Sequence, residues 1–245
     1  REVVASYLLD VAGAWRWLSG RVRAEPAAPR TSATLAEPTA QEIERLTTSV
    51  QSPIAPPIGR DEARPLRWIS RDDELPGLCE ALRGETCLGL DVETTIHGRT
   101  LCLLQVASAH ETFLVDALEL SDLEPLAELL ADSGIVKVIH NASFERSVLS
   151  RHGLVIDGVV DTLTVSRQRR GRKIDGGHSL RSVCERELGL VLDKTEQVSD
   201  WSQRPLSERQ VAYAALDAEV LLRLYEHFGR PPVTDAENLS LFGSS

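Results

Sequence analysis

A chain of 245 residues with 42% apolar content has room for one ordinary domain with extensions rather than for two full domains. Its formal charge of −10 argues against a protein held on nucleic acid by broad electrostatics, but not against an enzyme that gathers divalent cations on clustered acids. No stretch approaches the uninterrupted apolar length of a membrane span and no secretory signal is visible. Four cysteines without a C-x-x-C pair read as free thiols of a reducing, cytoplasmic compartment.

Residues 1–23 place Val4, Tyr7, Leu8, Val11, Trp15 and Leu18 at helical spacing and predict an N-terminal helix that needs a partner surface. Residues 24–65 are broken by Pro26, Pro29, Pro38, Pro53, Pro56 and Pro57 and read as a proline-rich linker, with a short helix near Gln41–Leu46. The chain begins at Arg1 and contains no methionine, which reads as a piece of a longer polypeptide or a processed form. Residues 1–65 read as a tether to a protein partner or an adjoining domain. Regular patterning starts at Leu66 and runs to about residue 230. RWIS predicts a short strand, and DDELPGLCEALRG a helix entered through an acidic turn and ended by Gly84. Strands are expected at about 87–94, 100–107 and 112–116. SDLEPLAELLAD, capped by Ser121, predicts a helix, IVKVIH a buried strand at 135–140, and SFERSVLSRHG a helix closed by Gly153.

Beyond VVDTL lies the basic run SRQRRGRK, residues 166–173, which reads either as a solvated loop or as one that contacts phosphate. SLRSVCERELG and SERQVAYAALDAEVLLRLYEHF predict helices with serine caps, and the tail 231–245 is expected to be loose. Three neighbouring strands, then helix, strand and further helices, describe an α/β fold: a mixed sheet with helices on its faces.

In LGLDVETT, residues 88–95, Leu88, Leu90 and Val92 alternate as a strand does, so Asp91 and Glu93 share the other face. Acids at the end of a buried strand are costly unless something positive sits between them. Tyr213 and Asp217 lie one turn apart on a helix that is apolar nearly all round at that point. Glu145 falls in the first turn after IVKVIH, at the strand end where α/β sites collect. Taken singly, these are a solvated strand edge, a surface pair and a helix-dipole residue. Together, four carboxylates and a phenol from three segments suit hard divalent cations. Two such ions, about 3.5–4 Å apart, can activate a water and stabilise the leaving oxygen in phosphodiester hydrolysis.

Between Leu66 and about Phe228, the motifs LGLDVETT, KVIHNASFERSVL, VVDT and DKTEQVSDWSQRPLSERQVAYAALD resemble the ribonuclease D branch of the DEDD 3′–5′ exonucleases, in the subgroup with tyrosine. The resemblance implies a ribonuclease H-like sheet flanked by helices and hydrolysis from a single-stranded 3′ end, RNA slightly favoured over DNA, with two Mg²⁺ or Mn²⁺ ions. It implies that Asp91 bridges both ions, that Glu93 and Asp217 complete the shell of the ion holding the attacking water, and that Tyr213 orients that water. Glu145 stands where most of the family has Asp. Lesser roles fall to His140, Asn141 and Asp161, while Gln105 is either their like or simply part of a strand. The Glu145 departure and the acidic surface motivate an alternative, a retired exonuclease fold that binds nucleic acid or protein.

Overall fold

A computed structural model describes residues 64–96, 99–193 and 195–234. The predicted helix 1–23, nearly all of the linker and residues 235–245 of the tail lie outside them. The described elements are β1 (Leu66–Ile69), α1 (Leu75–Leu82), β2 (Cys87–Thr94), β3 (Leu101–Ala107), β4 (Thr112–Asp116), α2 (Ala127–Ala131), β5 (Val136–Ile139), α3 (Ala142–Leu149), β6 (Val159–Asp161), α4 (Thr162–Arg170), α5 (Leu180–Leu188) and α6 (Glu208–His227). The strands form one mixed sheet in the order β1-β4-β3-β2-β5-β6. β3 is antiparallel to both of its neighbours, and the other pairs are parallel. Short connections force the β2–β3 and β3–β4 pairs to be antiparallel, whereas the parallel neighbours are joined through helices.

The sheet is covered on both faces. Leu88, Leu90 and Val92 of β2 pack with Leu75, Leu78 and Leu82 of α1, Leu129 and Leu130 of α2 and Val148 and Leu149 of α3. Val138 of β5 and Val160 of β6 pack instead with Val183 of α5 and Val220, Leu221 and Leu224 of α6. The strand alternation of β2 therefore puts its apolar residues under one helical layer and Gly89, Asp91 and Glu93 under α6. α6 starts where the sequence places it, because Ser207 and Gln210 form a capping box: the Ser207 hydroxyl accepts from Gln210 N, and Gln210 Oε1 accepts from Ser207 N. No helix among the described residues is long and apolar enough to cross a membrane.

Three local expectations give way. Ser121 does not cap a helix; its N–H and hydroxyl both donate to the Asp72 carboxylate, at 2.9 and 2.6 Å. Helical structure begins only at a 3₁₀ turn, Glu124–Leu126, and α2 is a bare turn and a half. The basic run is not one loop. Asp161 caps α4 by accepting from Leu163 N at 2.9 Å, and the helix continues through Arg170. Nor is the start of the tail loose: Thr234 N–H donates to Val159 O at 2.7 Å and its hydroxyl accepts from Asp161 N at 3.0 Å, which occupies the open edge of β6.

Candidate active site

The site depends on how closely α6 approaches β2. A Cβ at Gly89 would stand 2.1 Å from the Ala218 carbonyl oxygen, so only glycine permits the contact. Ala214, Ala215 and Ala218, fully buried, keep the helix surface low there. This approach brings Asp217, next to Ala218, against the acids of β2. Carboxylate oxygens of Asp91, Glu93 and Asp217 lie within 4.8 Å of one another. Tyr213, one turn before Asp217, hydrogen-bonds its carboxylate. The Trp201 ring lies 6.1 Å from the Tyr213 ring, centre to centre, and holds its orientation.

Glu145 comes from the far side of β2. Asn141 takes a left-handed backbone conformation (φ 72°) at the end of β5, with its N–H donating to Asp161 Oδ1 at 2.9 Å. α3 then begins, and Glu145 in its first turn is buried, with no hydrogen-bond partner for Oε2 among the described residues. It stands outside the group of three, yet its charge acts on Glu93 and that of Asp91 acts on it. All five sequence-identified groups thus face one region, with Glu145 as an outlying arm.

Electrostatically the region is under strain. Burial holds the carboxyls of Asp91, Glu93 and Glu145 well above their usual range, and repulsion among the acids adds to it. Burial likewise raises Asp217 to about 7, against the hydrogen bond from Tyr213. The charges acting on these acids are those of other carboxylates; no cation among the described residues offsets them. Burial, and then the neighbouring Asp217, Glu93 and Asp91, push the Tyr213 hydroxyl above its ordinary value, so it remains a proton donor.

The flanking residues belong to a framework. His140 Nε2 donates to the His178 carbonyl at 2.9 Å, while Nδ1 lies 2.9 Å from Thr162 Oγ1. Burial lowers His140 to about 4, so the ring is neutral, and both of its nitrogens are occupied. Asp161 is consumed by Asn141, Leu163 and Thr164. Gln105 sits opposite Asp91 in the β2–β3 register, fully buried, with neither amide atom partnered among the described residues.

Several residues escape the sequence reading. Gly89 was visible only as part of LGLDVETT. Trp201 and Arg204 lie in the quoted SDWSQRPL segment but gain their roles from distant strands. Arg204 Nη2 donates to Asp116 Oδ1 at 2.6 Å and to Cys102 O at 2.9 Å, and Nη1 to Trp201 O at 2.8 Å, which fixes the loop carrying Trp201.

A mixed α/β sheet with clustered carboxylates and a phenol under its last long helix defines a class. Residues 66–231 match the 3′–5′ exonuclease domain family, and the chain belongs to that family. It is 36% identical over 160 residues to ribonuclease D of Escherichia coli, covering 64% of this chain and 42% of that protein. It is 33% identical over 158 residues to DNA polymerase I of Aquifex aeolicus, covering 64% of this chain and 26% of that protein. The chain therefore spans less than half the length of these relatives. The crystal structure of E. coli RNase D, an exoribonuclease involved in structured RNA processing, shares 31% identity at a TM-score of 0.56, over 67% of this chain and 45% of that one. The Nibbler EXO domain of Aedes aegypti has the same fold, with a TM-score of 0.63 at 21% identity, over 71% of this chain and 91% of that one.

Proposed function

We propose that residues 66–230 form a metal-dependent 3′–5′ exonuclease domain that removes nucleotides from the 3′ end of a single strand, with RNA favoured over DNA. The observation that carries the reading is the meeting of Asp91, Glu93 and Asp217 within 4.8 Å of one another. Such a cluster of like charges, half-buried at Asp91 and Glu93 and buried at Asp217, is unfavourable by itself, and hard divalent cations relieve it. The oxygen-only donor set suits Mg²⁺ or Mn²⁺. Asp91, Glu93 and Asp217 would hold one ion, and Asp91 with Glu145, whose Oε2 lacks a partner among the described residues, would hold a second. Bound ions supply Lewis acidity, which lowers the pKa of a water and offsets charge on the leaving oxygen.

The side chains contribute position. Tyr213 stays protonated, so it orients a water by hydrogen bonding and does not act as the base. Its ring is held by Trp201 and its hydroxyl by Asp217, which limits it to one direction. The preference for RNA rests on likeness to proteins named ribonuclease D; the DNA polymerase relative makes DNA the substrate to compare. Free thiols at Cys79, Cys87, Cys102 and Cys184 support a reducing, cytoplasmic setting. Residues 1–65, outside the matched segment, would act as a tether to a partner or adjoining domain.

The test is digestion of 5′-labelled RNA and DNA, single-stranded and duplex, with Mg²⁺, with Mn²⁺ and with chelator. A ladder shortening by single nucleotides from the 3′ end, abolished by chelator, is expected. Internal cuts, or cleavage that survives the chelator, would overturn the reading. Glu145 supports a second reading, the retired binding fold: it gains if the wild-type chain is inert and Glu145→Asp digests.

A further inference from the structure

In a chain of net charge −10, basic residues crowd into the last turn of α4 and the connector that follows it. The structure divides them into two kinds. Arg169 donates to the Phe228 carbonyl and lies 4.9 Å over that ring, and Arg170 grips Glu187 through Nε and Nη2 at 3.0 and 2.9 Å. Those two hold α4 against the fold. Arg167, Arg172 and Lys173 are exposed and pair with no carboxylate among the described residues.

The segment that presents them is anchored. His178, buried, donates from Nε2 to the Gly171 carbonyl and meets the Ser166 hydroxyl at Nδ1, both at 2.9 Å. Its own carbonyl accepts from His140 Nε2 at 2.9 Å. Arg186 adds bonds to Gly177 O at 3.2 Å and Ser166 Oγ at 3.0 Å. His140 directly precedes Asn141 and the helix that carries Glu145, so buried polar bonds tie the basic connector to the catalytic end of β5. A helical rise of about 1.5 Å per residue puts Arg167 about 9 Å along the axis from Asp161, whose carboxylate bonds Asn141. The Arg167 charge also acts on His140, which directly precedes Asn141. Exposed cations on a pre-ordered segment that is hydrogen-bonded to the end of β5 suit a polyanion whose far end enters the acid cluster.

We infer that the end of α4 and the connector 171–179 form a phosphate track, in which Arg167, Arg172 and Lys173 contact the backbone of a single strand upstream of its 3′ end. This rests on the exonuclease reading for the direction of the strand, but contact itself needs no turnover. The track explains how a strongly acidic chain engages a polyanion: the attraction is local.

The experiment is fluorescence anisotropy of a labelled twelve-nucleotide RNA with the full chain in EDTA, across a KCl series. Each phosphate contact to a single strand adds about 0.7 to the slope of log affinity against log salt, so loss of three contacts flattens it by about 2. The variant R167A/R172A/K173A should show that flattening and at least a tenfold weaker affinity at about 0.1 M salt. The control R71A/R83A/R230A removes equal charge from exposed sites elsewhere and should keep the wild-type slope. Arg172→Glu alone should weaken binding more than Arg172→Lys, which guards against misfolding of the triple variant. An unchanged slope in the connector variant, or an equal loss in the control, overturns the track. Wild-type chain that binds with this slope but leaves RNA intact when Mg²⁺ is added refutes the nuclease reading and leaves the track standing.

Discussion

Asp116 and Asp217 are both buried carboxylates, and the protein treats them in opposite ways. Asp116, 1% exposed, receives the Arg204 guanidinium, which also binds three backbone carbonyls and lies over the Trp68 ring. Asp217, 7% exposed, receives among the described residues only the Tyr213 hydroxyl and faces two more acids. This fold can evidently build a complete counter-ion where structure alone is needed. Where it withholds one, at Asp91, Glu93, Asp217 and Glu145, the proposed function has divalent cations supply the missing positive charge.

The sharpest break in this contrast is Asp91→Asn. It removes a charge from the crowded group and should cut turnover by at least about 10³-fold, roughly 4 kcal/mol of transition-state stabilisation. Without metal, its melting temperature should equal or exceed that of wild type, because one repelling charge is gone. Arg204→Met does the reverse. It leaves Asp116 buried and unpaired, and should cost about 3–5 kcal/mol in a denaturant melt. A melt within 1 kcal/mol of wild type would show, by the same estimate, that the clamp contributes little.

Tyr213→Phe keeps the ring against Trp201 and removes only the hydroxyl. Single-turnover kinetics should slow by about 10²-fold with binding nearly unchanged. Equal rates would assign the residue to packing. The smallest effect concerns Glu187, whose bonds to Arg170 and Arg186 hold its carboxyl down at about 2. A depressed carboxyl stabilises the fold above its unfolded value of 4.5, and that stability fades as pH falls toward 2. Glu187→Gln should therefore cost about 1–2 kcal/mol at neutral pH, discounted because Arg170 is half exposed. The gap from wild type should close between the two values, and a gap independent of pH would point to packing instead.

The meeting of the acids was legible in the sequence and the Arg204 clamp was not. Alternation exposes Asp91 and Glu93, a four-residue step pairs Tyr213 with Asp217, and Ser207 with Gln210 announces the helix; each signal is local. Arg204 meets Asp116 and Cys102 across long stretches of chain, and nothing near residue 204 encodes that meeting. α4 was missed because only Leu163 and Val165 mark an apolar stripe among polar and basic residues. Ser121 read as a cap because its competitor, Asp72, lies 49 residues away. Gly89 shows the same limit: the residue is plain to see, but the Ala218 carbonyl above it exists only in three dimensions.

The central claim is that the acid cluster is completed by divalent cations, and thermal melting of the full chain under Mn²⁺ titration tests it most directly. An ion that binds only the native state stabilises by about 2.7 kcal/mol at a hundredfold excess over its dissociation constant, a rise of about 5–10 °C for a domain of this size. Wild type and Arg204→Lys should both show that rise, while Asp91→Asn and Asp217→Asn should lose most of it. An absent rise in wild type, or an equal rise in the Asp91 and Asp217 variants, would contradict the account.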